Sequence, residues 1–163
     1  MKKIILFSLL ITFFNSAFSQ HHYKIFRSIA VQHDSIINTW KSIPGQDLDD
    51  STLFSITLDT LDLHRVKKII VNHKGQKKVF ECPPIAKHFV SNNFNIYIYY
   101  KVRLKGTNKT CTVQFEQQPN DGRTILDIYF NDDKEVGYAL FYNFKNKHGF
   151  IDDFVKTMLN ELH

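Results

Sequence analysis

The fold is decided by residues 94–144, which read FNIYIYYKVRLKGTNKTCTVQFEQQPNDGRTILDIYFNDDKEVGYALFYNF. Apolar and polar residues alternate along this stretch, as they do in strands that bury one face. Clusters of Gly, Asn and Asp interrupt the alternation at three places and are typical of turns. We therefore predict an antiparallel meander of four strands, over residues 94–105, 111–117, 124–130 and 135–144.

The segments before the meander predict strands and two helices. Residues 66–71 and 77–82 flank a polar turn that contains Gly75, which predicts a hairpin. A further strand is expected to begin at Phe54. Apolar residues from Tyr23 to Trp40 recur at spacings of three and four, which is typical of an amphipathic helix. Pro83-Pro84 is consistent with the start of a short helix that ends at residues 92–93.

The segment after the meander carries a second apolar stripe at helical spacing, which runs from Ile151 to Leu162. Strands with one apolar face, flanked by amphipathic helices, favour the α+β class. We expect a single domain over residues 20–163, with a curved, mostly antiparallel sheet of six to seven strands. The sheet is expected to pack against an N-terminal helix and a long C-terminal helix.

The first nineteen residues resemble a secretory signal in their composition. Lys2 and Lys3 precede an apolar run over residues 4–14, and small residues precede the expected cleavage site after Ser19. The run is shorter than the ~20 residues that span a bilayer, and no second long apolar stretch follows it. We expect a cleaved signal peptide over residues 1–19 and export to a periplasm or the cell exterior, without a transmembrane segment in the mature chain. The alternative is a buried N-terminal helix.

Charge is distributed unevenly along the chain. The 163 residues carry a formal net charge of +5, but residues 47–62 contain five Asp and no Lys or Arg. Residues 64–109 contain eleven Lys or Arg and a single acidic residue, Glu81. Regular alternation over 94–105 places two tyrosines and three cations together on the face opposite the apolar one, and these are Tyr97, Tyr99, Lys101, Arg103 and Lys105.

Aromatic rings beside cations on an open sheet are suited to anionic partners, because rings stack while the cations meet carboxylate, sulfate or phosphate. We therefore expect a small, exported, non-enzymatic binding domain whose partner is an anionic glycan, an envelope component or an acidic protein. The hairpin over residues 65–78 is a candidate extension of this face. The alternative for the face is an ordinary solvated surface with edge lysines. Nucleic acid is a poor candidate, since the net charge is small.

Two other functions remain open from the sequence. The domain could carry a small apolar ligand between sheet and C-terminal helix, in a cavity lined by Tyr100, Tyr138, Tyr142 and Phe154. A secreted hydrolase whose residues converge only in three dimensions is the third alternative. The sequence contains no nucleophile elbow, zinc-protease motif or glycine-rich phosphate loop, so no catalytic residue, metal or cofactor is expected.

Cys82 and Cys111 are the two cysteines of the chain. In an exported protein they could form a disulfide, provided that their strands are neighbours. The alternative, expected equally, is that both cysteines are buried free thiols.

Overall fold

The computed structural model describes residues 20–144, apart from residues 35, 37–38, 48–53, 121 and 133. In this part of the chain every regular element is a β-strand. The eleven strands are β1 (His21–Lys24), β2 (Arg27–Asp34), β3 (Thr39–Asp47), β4 (Phe54–Leu58), β5 (Lys68–His73), β6 (Gln76–Glu81), β7 (Lys87–Ser91), β8 (Phe94–Leu104), β9 (Thr110–Gln117), β10 (Arg123–Tyr129) and β11 (Val136–Asn143).

All eleven strands belong to one antiparallel sheet. Its order is β1-β4-β5-β6-β8-β9-β10-β11-β2-β3, and β7 pairs with β8 outside this path. The predicted meander is confirmed, because β8, β9, β10 and β11 are consecutive neighbours in the sheet. The predicted hairpin is confirmed as β5 and β6, with Lys74 and Gly75 at positive φ in its turn.

The prediction of an α+β domain is wrong, since the described residues contain no helix. The segment expected to form the first helix is divided among β1, β2 and β3. The segment after Pro84 forms β7, because the two residues Asn92 and Asn93 adopt positive φ and turn the chain back as a hairpin into β8. The predicted signal peptide and the predicted C-terminal helix both lie outside the described residues.

The sheet is strongly curled, and β1 and β2 tie its two ends together. They form one run of chain that bends at Ile25 and Phe26. The backbone N–H of Ile25 donates to the carbonyl of Phe54 in β4, and the N–H of Phe26 donates to the carbonyl of Phe141 in β11. Neighbouring residues thus contact β4 and β11, which lie six positions apart along the sheet order.

The concave side of the curl holds the core. Large side chains with almost no exposure fill it, among them Tyr99, Tyr142, Phe54, Phe80 and Phe115. Each side chain of this kind contributes about 1.5–3 kcal/mol of hydrophobic stabilisation when it is fully buried. The segment between β4 and β5 adds Leu63 and Val66 to the same core. Other connections contribute Ile25, Ala86 and Phe130, so the core is built from the inner faces of the strands and from several of the segments that join them.

Candidate binding surface

A β-bulge divides β8 into two halves. Tyr99 pairs with Val113 of β9, whereas Val102 pairs with Cys111, so β8 advances three residues while β9 advances two. Tyr99 and Val102 are both fully buried, although they are separated by two residues rather than one. Lys101, inside the bulge, has a φ of 56°, which is uncommon for a residue with a Cβ atom. The extra residue reverses which side chains face the core beyond it.

The bulge corrects the predicted face of Tyr97, Tyr99, Lys101, Arg103 and Lys105. Tyr99 lies in the core, where its hydroxyl accepts from the N–H of Val66 at 2.6 Å and donates to the carbonyl of Leu63 at 2.9 Å. Tyr97 is partly buried and packs against the same core. The three cations are exposed and point away from it. The prediction that the three cations share a face with Tyr97 and Tyr99 is wrong, because the regular alternation stops at the bulge.

The second half of β8 pairs with β6, which brings more charge to the same outer side. Phe80 lies opposite Leu104, and Glu81 lies opposite Arg103. Lys77 lies an odd number of residues from the inward-facing Phe80 and an even number from Glu81, so it shares the outer side of β6 with Glu81. We call the outer side formed by Lys77, Lys101, Arg103 and Lys105 the basic face.

One carboxylate interrupts the basic face. Arg103 Nε donates to Glu81 Oε2 at 2.8 Å, and the second guanidinium nitrogen contacts the same oxygen. No ion pair involves Lys77, Lys101 or Lys105 in the part of the chain that the structure describes. The basic face therefore carries three cations without a carboxylate partner among the described residues and one that is already paired.

An aromatic ring lies next to the basic face. Tyr100 is 46% exposed because it follows the inward-facing Tyr99 in the strand, and Lys87 Nζ lies 5.1 Å from its ring centroid. This position differs from the predicted one, which placed Tyr100 in an apolar cavity. The ring is available for stacking, and Lys87 adds a further cation beside it.

The structure places three of the four residues predicted to line a ligand cavity. Tyr142 is fully buried and packs its ring 5.1 Å from that of Tyr23. Tyr138 packs against the same core and accepts a hydrogen bond from Lys78 Nζ at 2.9 Å. Tyr100 points outward and does not join them, and Phe154 lies outside the described residues.

Tyr138 belongs instead to a polar group at one end of the core, which the sequence did not reveal. Its ring makes an edge contact with Phe54, which in turn stacks on His73 with ring centroids 3.9 Å apart. Burial lowers the pKa of His73, and the charges of Lys74 and Lys78 lower it further. His73 is therefore kept neutral beside a lysine that points inward.

A second aromatic group joins the β7–β8 hairpin to the connection after β4. His88 stacks on Tyr97 with ring centroids 4.6 Å apart, and His64 lies 6.5 Å from both rings. His88 Nε2 is 3.2 Å from Asn95 Oδ1. The described residues contain no group of three or more side chains able to hold a metal ion.

Cys82 and Cys111 are both free thiols. Cys111 lies opposite Val102 of β8, and Cys82 directly follows the residue of β6 that pairs with Arg103, so β8 separates the two cysteines. Two strand spacings amount to about 9–10 Å, beyond the reach of a disulfide. Burial raises the pKa of both thiols, that of Cys111 to about 12. The predicted pairing would therefore require a rearrangement of the sheet.

A buried carboxyl group lies farther along the outer side of the sheet. Asp127 is 5% exposed, and its burial raises its pKa to about 7. A hydrogen bond with Tyr129 lowers the pKa and the nearby Glu116 raises it, both with smaller effect. Below neutral pH this carboxyl group is largely protonated, so it adds little negative charge to offset the positive charge of the basic face.

Comparisons of the chain with protein-family models, with curated proteins and with solved structures found no match. Across the residues that the structure describes, no helix has the length and hydropathy needed to cross a membrane.

Proposed function

We propose that this protein is an exported, non-enzymatic binding domain that holds an anionic glycan on its basic face. The observation that carries the proposal is the set of three lysines, at positions 77, 101 and 105, without ion-pair partners on one side of adjacent strands. Like charges on one surface repel each other, and a bound polyanion removes this repulsion. An anionic chain lying across β6 and β8 would meet each lysine in turn.

The exposed ring of Tyr100 favours a glycan over an acidic polypeptide. A tyrosine ring offers an apolar surface to the face of a sugar, while Lys87 and Lys101 beside it meet carboxylate or sulfate groups. An acidic polypeptide would use the same lysines but would not need the ring. The predicted signal peptide is consistent with a partner outside the cytoplasm.

Retention on immobilised heparin, eluted with a salt gradient, tests the proposal. The native protein is expected to be retained and to elute early when Lys101→Glu and Lys105→Glu are combined, because ionic contacts are screened and weakened. Lys24→Glu combined with Lys134→Glu is the control, since it changes the net charge equally at exposed positions in β1 and in the turn between β10 and β11. Equal loss of retention in both double variants would show that net charge, not the basic face, is responsible.

The Tyr100→Ala variant separates the two kinds of partner. We expect it to elute from heparin at lower salt than the native protein and to be unchanged on immobilised polyglutamate. The opposite result, with no effect on heparin, would overturn the assignment to a glycan and favour an acidic protein.

A further inference from the structure

Strand β7 is an edge strand with an unusual surface. It pairs with β8 through Lys87 to Ser91, and the sheet order of the described residues places no strand on its other side. All five of its residues are exposed. Proteins commonly protect such edges with charged residues, prolines or short length. Here a single lysine, Lys87, supplies the charge.

Apolar side chains are concentrated on this edge. Val90 is 72% exposed and Phe89 is 48% exposed, and Ile85, just before the strand, is 63% exposed. The other large hydrophobic side chains with comparable exposure in the described residues are Ile36, Leu61 and Tyr100, and of these Tyr100 lies beside Lys87 of β7. Phe89 and Val90 are consecutive in β7, so these apolar side chains flank its unpaired backbone groups on both faces of the sheet. Such an edge is typical of one that another strand covers.

The hairpin turn determines which backbone groups are free. Asn92 and Asn93 have φ values of 43° and 70°, as in a two-residue turn of type I′. In such a hairpin the flanking residues, Ser91 and Phe94, bond to each other, and the pattern alternates from there. Phe89 therefore bonds to β8, whereas the N–H and C=O groups of His88 and Val90 point toward the free edge.

We propose that β7 pairs with β7 of a second copy of this chain, antiparallel and with the two-fold axis at Phe89. In this register His88 lies opposite Val90 of the second copy, and each such pair exchanges two N–H···O bonds. The two Phe89 side chains lie side by side at the centre. Lys87 lies opposite Ser91, so no like charges face each other across the axis. This self-complementarity is what favours a second copy over an unrelated strand.

Such a contact is isologous and joins two curled sheets into one continuous sheet. Its size is small, so we expect a reversible dimer with a dissociation constant on the order of 10–100 μM. The basic face itself is formed by β6 and the second half of β8. Of the proposed glycan contacts, Lys87 is the one that also lies on β7. Substitutions at Val90 leave Lys87 and the basic face unchanged, so dimer formation and glycan binding can be tested separately.

Sedimentation equilibrium from about 1 μM to about 1 mM, a range that spans the expected constant, tests the proposal on the native protein. A mass that rises from monomer to dimer with concentration is expected, and a monomer throughout would overturn it. Val90→Pro removes an edge N–H that β8 does not use and is expected to abolish the dimer. Val90→Thr keeps the N–H and the branched side chain and should still dimerise; a dimeric Val90→Pro protein would contradict the proposed pairing.

Amide hydrogen exchange on the native protein provides a second readout that needs no variant. The amides of His88 and Val90 should exchange fast in dilute solution and slow at least tenfold at concentrations where the dimer predominates. A dimer without this protection would place the contact elsewhere and overturn the proposal.

Discussion

The two halves of β8 share β9 as the neighbour on one side but have different neighbours on the other side. From Phe94 to Ile98 the strand pairs with β7, and in this half Tyr97 and Tyr99 face the core. Beyond the bulge it pairs with β6, and its cations face solvent. One inserted residue thus separates a segment that stabilises the fold from a segment suited to a ligand. In a strand of eleven residues, the alternation of inward and outward side chains can thus change phase at a bulge.

The largest expected difference is in the free energy of unfolding, between variants of the neighbouring residues Tyr99 and Tyr100. Tyr99→Ala should lower the free energy of unfolding by about 3–5 kcal/mol, because it removes a buried ring and leaves the carbonyl of Leu63 and the N–H of Val66 without their bonds. Tyr100→Ala should change it by less than about 0.5 kcal/mol. Chemical denaturation of both variants measures the difference. Similar losses in the two would contradict the inward position of Tyr99 and the outward position of Tyr100.

Two carboxyl groups on the outer side of the sheet differ in their exposure to solvent. Asp127 is buried, whereas Glu81 is partly exposed and forms an ion pair with Arg103. A pKa raised from 3.8 to about 7 means that the folded state holds the proton more tightly than the unfolded state. The stability due to this proton is complete below about pH 4 and is lost as the pH rises toward 7. Asp127→Asn should therefore gain on the order of 4 kcal/mol relative to the native protein at pH 8 and little at pH 4. Denaturation at both values measures it, and a difference independent of pH would contradict the burial.

The bulge itself can be made more favourable. Lys101→Gly should stabilise the protein by about 0.5–1 kcal/mol, because glycine adopts the positive φ of this position without a Cβ clash. Arg103→Gly, two residues on in regular strand, should destabilise it instead. Thermal denaturation distinguishes the two signs, and equal destabilisation by both would show that residue 101 has no special backbone conformation.

The smallest effect is expected from the one acidic group of the basic face. Glu81→Gln removes the partner of Arg103 and leaves the fold unchanged within about 0.5 kcal/mol, as is usual for exposed ion pairs. It should move elution from heparin to higher salt. Elution at lower salt would mean that Arg103 is needed in its paired position rather than as a free cation.

The meander could be predicted from the sequence because its signals are local. Gly106, Gly122 and the Asn-Asp pair at 131–132 mark its turns, and each strand pairs with the next one along the chain. The first strands could not be predicted in this way. The bend at Ile25 and Phe26 changes which residues face the core, and this change of phase imitates the three- and four-residue spacing of a helix.

The candidate surface was predicted only in part. Lys101, Arg103 and Lys105 do share the outer side, and β6 does extend it, but regular alternation assigned the wrong tyrosines to them. A bulge has no reliable sequence signal when a lysine, rather than glycine, takes the positive φ. The roles of Lys87 and Tyr100 depend on β7, whose segment resembled a helix start after two prolines.

The bend between β1 and β2 also constrains the order in which the molecule can fold. Phe26 meets Phe141 across 115 positions of sequence, so the ends of the sheet cannot join until nearly the whole described chain is available. Contacts between residues so far apart in sequence form slowly, whereas the hairpins of the meander need only their neighbours. The meander is therefore expected to assemble first, with the N-terminal strands adding last as the step that completes the core. Until that step, the edges of β4 and β11 stay open to other chains.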